Sequence, residues 1–152
     1  MTQFFEHYPI KWKQRMSDLP NKSECTSEEL LTRSLLVMTL LNDWHIPLKE
    51  QILVLGLPEK TPTRYLKKFG KEIPLPDELH INDCIEHIVG IADALRTTYP
   101  HNAEMGSHWM RASNRHLNKK SPVAVLIEDG LDGIINVRSV IDCSFDWYHN
   151  GQ

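Results

Sequence analysis

Leu30, Leu31, Leu35, Val37, Met38, Leu41 and Trp44 recur at the rhythm of a helix with one wide buried face. Thr26-Ser27-Glu28-Glu29 opens that helix with a hydroxyl cap and acids where they complement the dipole, and Pro47 ends it. A short second helix is expected over Leu48–Leu55, stopped by Gly56 in a left-handed conformation. Thr61 caps a third helix over about Pro62–Phe69, with Pro62 in its first position. Its pattern turns Tyr65, Leu66 and Phe69 inward and Thr63, Arg64, Lys67 and Lys68 outward, and Gly70, Pro74 and Pro76 close it. The most regular pattern is Ile81, Cys84, Ile85, Ile88, Ile91, Ala92, Leu95 and Tyr99, begun by Asp77 or Asn82 and broken at Pro100-His101-Asn102. Such a stripe suits a core and also a dimer seam.

The last third reads as a helix over Met105–Leu117 and a basic turn at Asn118-Lys119-Lys120. Ser121-Pro122 then starts a short helix, a hydroxyl cap followed by proline at the first helical position, running Val123–Glu128 and stopping at Asp129-Gly130. The β-branched residues of Gly133–Phe145 also suit a strand, but Ile134, Val137, Ile141 and Phe145 fall at helical spacing and favour a helix. The expected fold is all-α. A leader spans 1–24, with Phe4, Phe5, Tyr8, Ile10 and Trp12 as apolar anchors that could dock on the body or on a partner. A helical domain containing a helix-turn-helix and a linking helix is expected over 25–100, and a small helical domain over 101–152.

With 41% hydrophobic and 24% charged residues, the composition is that of a globular chain with enough apolar content for a core. The longest apolar run, Leu35-Leu36-Val37-Met38, is far short of the roughly 18 residues a membrane span needs. The first residues lack a basic region followed by an apolar stretch, so no secretory signal is expected. Cys25, Cys84 and Cys143 are scattered, which fits a reducing cytoplasm and argues against a disulfide framework or zinc finger.

The net charge of −3 would by itself disfavour nucleic acid. Its distribution says otherwise, because local patches set the field a partner meets. Lys60, Arg64, Lys67, Lys68 and Lys71 form a run without an acid, as do Arg111, Arg115, Lys119 and Lys120. Beyond Ser121, the acids Glu128, Asp129, Asp132, Asp142 and Asp146 face Arg138 alone. Either basic run can be a solvated helix face. The second helix, Gly56 and the third helix also match the helix-turn-helix plan, whose second helix enters a major groove. On that reading Arg64, Lys67, Lys68 and Lys71 meet phosphates, and Thr61 and Thr63 are short enough to bond base edges.

Enzyme chemistry has little footing. His101, His108 and His116 lack the cysteine or carboxylate that would complete a compact zinc set, and neither a cofactor nor a metal is expected. Ser121 has a capping role, and no Gly-x-Ser-x-Gly or glycine-rich phosphate loop occurs. Glu128, Asp129 and Asp132 read as a solvated helix end.

The run from His108 through Trp109, Met110, Arg111 and Asn114 to Leu117, followed by Ser121-Pro122, Gly130, Gly133, Val137 and Ile141, resembles the C-terminal domain of the Xre/MbcA/ParS antitoxins. Residues 27–145 as a whole are similar to that family, more loosely at the N-terminal helix-turn-helix. Met110 stands for the family's usual leucine, Ala112-Ser113 where a proline often precedes the asparagine, and Asn118-Lys119-Lys120 where a glycine is often found. The resemblance implies a dimeric antitoxin that covers the active site of a co-encoded, NAD-depleting RES-type toxin and binds its own promoter DNA. It implies toxin contact by Arg111, Asn114, Trp147 and Tyr148, with Trp109, Ser121 and Pro122 holding the domain together. The alternative is a dimeric helix-turn-helix regulator without a toxin.

Overall fold

The computed structural model describes residues 26–150, with side chains through Cys143; the expected leader 1–24 and the side chains of Trp147 and Tyr148 lie outside the described residues. The described residues fold into seven α-helices and no β-strand, with one isolated bridge between Phe69 and Ile73. The all-α expectation is met.

Helix α1 spans Ser27–Asp43. Thr26 accepts from the Glu29 N–H while the Glu29 carboxylate accepts from the Thr26 N–H, a reciprocal box that satisfies two otherwise orphaned donors. The helix stops before Pro47. His45 takes a left-handed φ of 60°, and the N–H groups of His45 and Ile46 return to the carbonyls of Asn42 and Leu41. This is the paired closure that usually recruits glycine. Pro47 instead precedes α2, Leu48–Leu55, which ends at Gly56 with φ 71° as its sequence implies.

Helix α3 is shorter than expected, Thr63–Lys68, with Pro62 outside it as the cap residue and no side-chain cap from Thr61. Pro62 has ψ 138°, an extended conformation that keeps it out of the helix. Leu66 and Phe69 are buried as expected, but Tyr65 is 38% exposed. The Arg64 guanidinium lies over its ring at 5.6 Å, so the phenol covers a cation where the pattern placed it in the core. Gly70, at φ 86°, lies against α1 so closely that a Cβ there would sit 2.3 Å from the Leu35 Cα.

Helix α4 spans Leu79–Thr98, later than an Asp77 cap and earlier than an Asn82 cap would give. Asn82 is buried inside it, accepting from Arg33 Nη2 at 2.6 Å and donating to Asp77 at 2.7 Å. The expected helix over Met105–Leu117 is broken. Asn102 caps α5, Ala103–Arg111, and Asn114 opens a separate 3₁₀ turn over Arg115–Leu117. Helix α6, Pro122–Asp129, is capped by Ser121, whose hydroxyl accepts from the Ala124 N–H. Helix α7 covers Leu131–Asn150, resolving the strand-or-helix alternative in favour of a helix.

Helices α4 and α7 form the most extensive pair, followed by the α6–α7 hairpin. One cluster of buried apolar side chains runs from Leu36 on α1 through Ile88 on α4 to Ile141 on α7, so the core spans both expected helical segments. Helix α2 touches α4, α6 and α7, which carries that core beneath the short α3.

Candidate functional site

Two basic edges and one cleft are the features this scaffold presents. The first edge is built on α3. Leu66 and Phe69 anchor it in the core, leaving Arg64, Lys67 and Lys68 exposed, and Lys71 is exposed in the turn that follows. Thr61 and Thr63 are half-buried beside it, and the Thr61 N–H bonds the Pro58 carbonyl at 2.9 Å. The structure therefore brings the six expected DNA-contact residues to one short stretch of surface. The connection from α2 to α3 runs Gly56–Pro62, longer than the turn of about 3–4 residues in the helix-turn-helix plan.

The second edge is the turn between α5 and α6. Asn114 is its hub: its side chain accepts from the His116 N–H at 2.9 Å, its N–H donates to the Lys120 carbonyl, and its carbonyl accepts from Leu117 and Lys119. Ser113 Oγ adds a bond to the Lys119 carbonyl at 2.9 Å. This tight closure forces Asn118 and Lys119 to φ 55° and 65°. Those are the positions where the resembled pattern often has glycine, the residue for which that conformation is easiest. Arg111, Arg115, His116 and Lys119 all point to solvent around the closed turn. Lys120 pairs with Glu128 at 2.5 Å, and that bond raises its ammonium above the ordinary lysine range.

The residues assigned a structural part sit where such a part is possible. Trp109 is half-buried against the core, Met110 beside it is fully buried, and Pro122 is buried in the first turn of α6. Arg111 is exposed, its Nε donating to the Ser107 carbonyl at 3.3 Å. Trp147 and Tyr148 fall on the helical range of α7, with side chains outside the described residues.

Sequence pattern did not point to the third feature, a cleft of about 1070 Å³ between the end of α1, the end of α4 and α5. Asp43, Trp44, Arg96, Tyr99 and Met105 line it, together with His45, His101 and His108. Ser107 Oγ bonds the Asp43 carbonyl at 2.8 Å and fixes α5 across its floor. Burial raises the Asp43 carboxyl, opposed by the nearby His45. Asp43 Oδ1 and Arg96 Nε are both buried without a hydrogen-bond partner, though another nitrogen of Arg96 reaches Asp93. No periodicity signals this place, because its residues come from three helix ends distant in sequence. Among the described residues no group of three or more His, Cys, Asp or Glu side chains is placed to hold a metal. Likewise, no helix there is long and apolar enough to cross a membrane.

The class these features define is an all-α chain with two basic edges on one continuous core. No protein-family model matches the chain, and no curated protein matches it.

Proposed function

We propose that this chain is an antitoxin-like binding protein that works without chemistry of its own. Its C-terminal unit, α5 to α7, covers the active site of a co-encoded RES-type toxin in the cytoplasm. As a homodimer, it holds promoter DNA through α3. The observation that carries this reading is the Asn114-centred turn. The residues of the resemblance motif do the local structural work: Ser121 caps α6, Pro122 opens it, and Asn114 closes the turn. They leave Arg111, Arg115 and Lys119 facing outward on a rigid edge. A pre-organised edge loses little freedom on binding, which favours affinity for a protein partner.

The test is growth rescue when the chain is co-expressed with the RES-like product of the adjacent reading frame. Deleting Asp142–Gln152, or changing Arg111→Glu, should abolish rescue while the melting transition persists. Full rescue by both variants would remove the C-terminal unit from neutralisation.

The exposed bases of α3 favour a second reading, a dimeric regulator with no toxin. Under either reading, Lys67→Glu with Lys68→Glu should weaken promoter binding and flatten its salt dependence, since each cation removed from a phosphate lowers the slope by roughly 0.9.

A further inference from the structure

Tyr65 is an aromatic side chain set among cations. Residues four apart line up on a helix, so Arg64 and Lys68 share one stripe of α3, with Tyr65 along one flank and Lys67 along the other. Leu66 holds the opposite side in the core. The phenol ring is 38% exposed, and the Arg64 guanidinium rests 5.6 Å from its centre. That contact keeps ring and cation together at the surface, where one partner can meet both. Between Glu59 and Glu72 every charged residue is basic: Lys60, Arg64, Lys67, Lys68 and Lys71. All five are exposed, and among the described residues none of them forms an ion pair with a carboxylate.

Free cations beside an uncharged ring suit duplex DNA, which offers phosphates to the first and base edges to the second. In the major groove the apolar mark on a base edge is the C5-methyl of thymine, recognised by apolar contact. We infer that Tyr65 reads that methyl: Arg64, Lys67 and Lys68 hold phosphates while the ring lies against a thymine of the bound site. The inference rests on the reading of α3 as the DNA-holding edge, and adds to it the residue and the base that give sequence preference. Cations on phosphates carry no sequence information, so the basic stripe alone would grip all DNA alike. A ring adds discrimination without adding salt dependence, which separates the two contributions in a measurement. The sequence pattern points Tyr65 inward, so the ring falls outside the contact set expected from sequence.

The experiment uses the full chain and a fluorescent duplex covering the promoter region directly upstream of its own reading frame. A twin duplex carries deoxyuracil at every thymine, which removes the methyl groups and keeps the pairing. The parent should bind the uracil duplex about fourfold more weakly for each methyl contacted, the value of one such group withdrawn from water. Tyr65→Phe keeps the ring and should retain that preference. Tyr65→Ala should lose about fourfold of it, with the slope of log Kd against log salt unchanged. Lys68→Ala should do the opposite, lowering the slope by about 0.9 and keeping the preference. A parent that binds without any thymine preference, or a preference that persists at full size in Tyr65→Ala, overturns the inference and leaves the DNA reading standing. Tighter binding to the single strand than to the duplex also overturns it, since the ring would then be a stacking platform. Failure of the parent to bind either duplex removes the DNA reading and this inference with it.

Discussion

Arg138 on α7 donates to Nδ1 of His87 on α4 at 3.0 Å, and the guanidinium lies over Gly90 one turn further along. The bond needs His87 neutral with its proton on Nε2, since a guanidinium has no lone pair to offer. It braces the most extensive helix pair among the described residues. A double-mutant cycle of His87→Ala and Arg138→Ala, read by urea unfolding, should give a coupling of about 1 kcal/mol. Independent, additive losses would mean the two side chains merely lie side by side.

Two glycines at helix contacts should respond very differently to alanine. At Gly133 a Cβ would meet the Val125 carbonyl oxygen at 2.3 Å, and backbone cannot step aside without opening the α6–α7 hairpin. Gly133→Ala should therefore cost about 2 kcal/mol or more, the scale of core overpacking. At Gly90 the obstacle is the Arg138 guanidinium, at 2.5 Å, the far end of a flexible side chain. Gly90→Ala should stay within about 1 kcal/mol of the parent, because gained helix propensity offsets the displaced bond. Denaturation midpoints decide it, and equal losses at the two sites would contradict the geometry.

Lys119 holds φ 65° without being glycine. That conformation crowds Cβ against the backbone, at about 1 kcal/mol for an ordinary side chain. Lys119→Gly should raise the melting temperature by a few degrees despite the added freedom of the unfolded chain. The same change at exposed, helical Glu128 should lower it. A fall in melting temperature for Lys119→Gly would mean the turn is not strained.

The helices were legible where apolar spacing and a cap agreed. Leu48–Leu55 with Gly56, and Ser121 before Pro122, appear in the fold as the sequence implies. The misses occur where tertiary contacts outrank local signals. Tyr65 carries an inward pattern, yet it lies outside under Arg64 because Leu66 and Phe69 already fill the space below. Met105–Leu117 has no proline to divide it, and the break comes from Asn114, whose side chain and backbone close a turn instead of continuing a helix. The basic edges were visible as acid-free runs. The cleft was not, because Asp43, Arg96 and Met105 meet only after α1, α4 and α5 have packed.

Cys84 and Cys143 should separate cleanly in a labelling experiment. Burial, with a smaller push from Asp83, raises the Cys84 thiol to about 11, whereas Cys143 is exposed. The thiolate is the reactive form, and at pH 8 the buried site offers almost none of it and no access. Iodoacetamide at pH 8 should modify Cys143 in the folded protein and Cys84 only after unfolding, as read by peptide mass. Equal rates at the two sites would place α4 at the surface.

Asp93 gives the fold a pH dependence of definite sign. Burial raises its carboxyl above the ordinary range, and the Arg138 charge opposes the rise. A carboxyl whose pKa is higher in the folded state binds its proton more tightly there than in the unfolded chain. Its contribution to stability is thus fully present at pH values below the unfolded pKa of about 3.9 and is lost as pH rises through the folded value. Asp93→Asn keeps the shape and removes the charge, so its advantage over the parent should be largest near pH 7 and shrink as pH falls towards 4. Arg138→Met should do the reverse at neutral pH, because it strips away the cation that holds Asp93 down. Urea midpoints for the three proteins at pH 4 and pH 7 test this. A constant offset between parent and Asp93→Asn across that interval would show that the carboxyl is not perturbed by the α4–α7 contact.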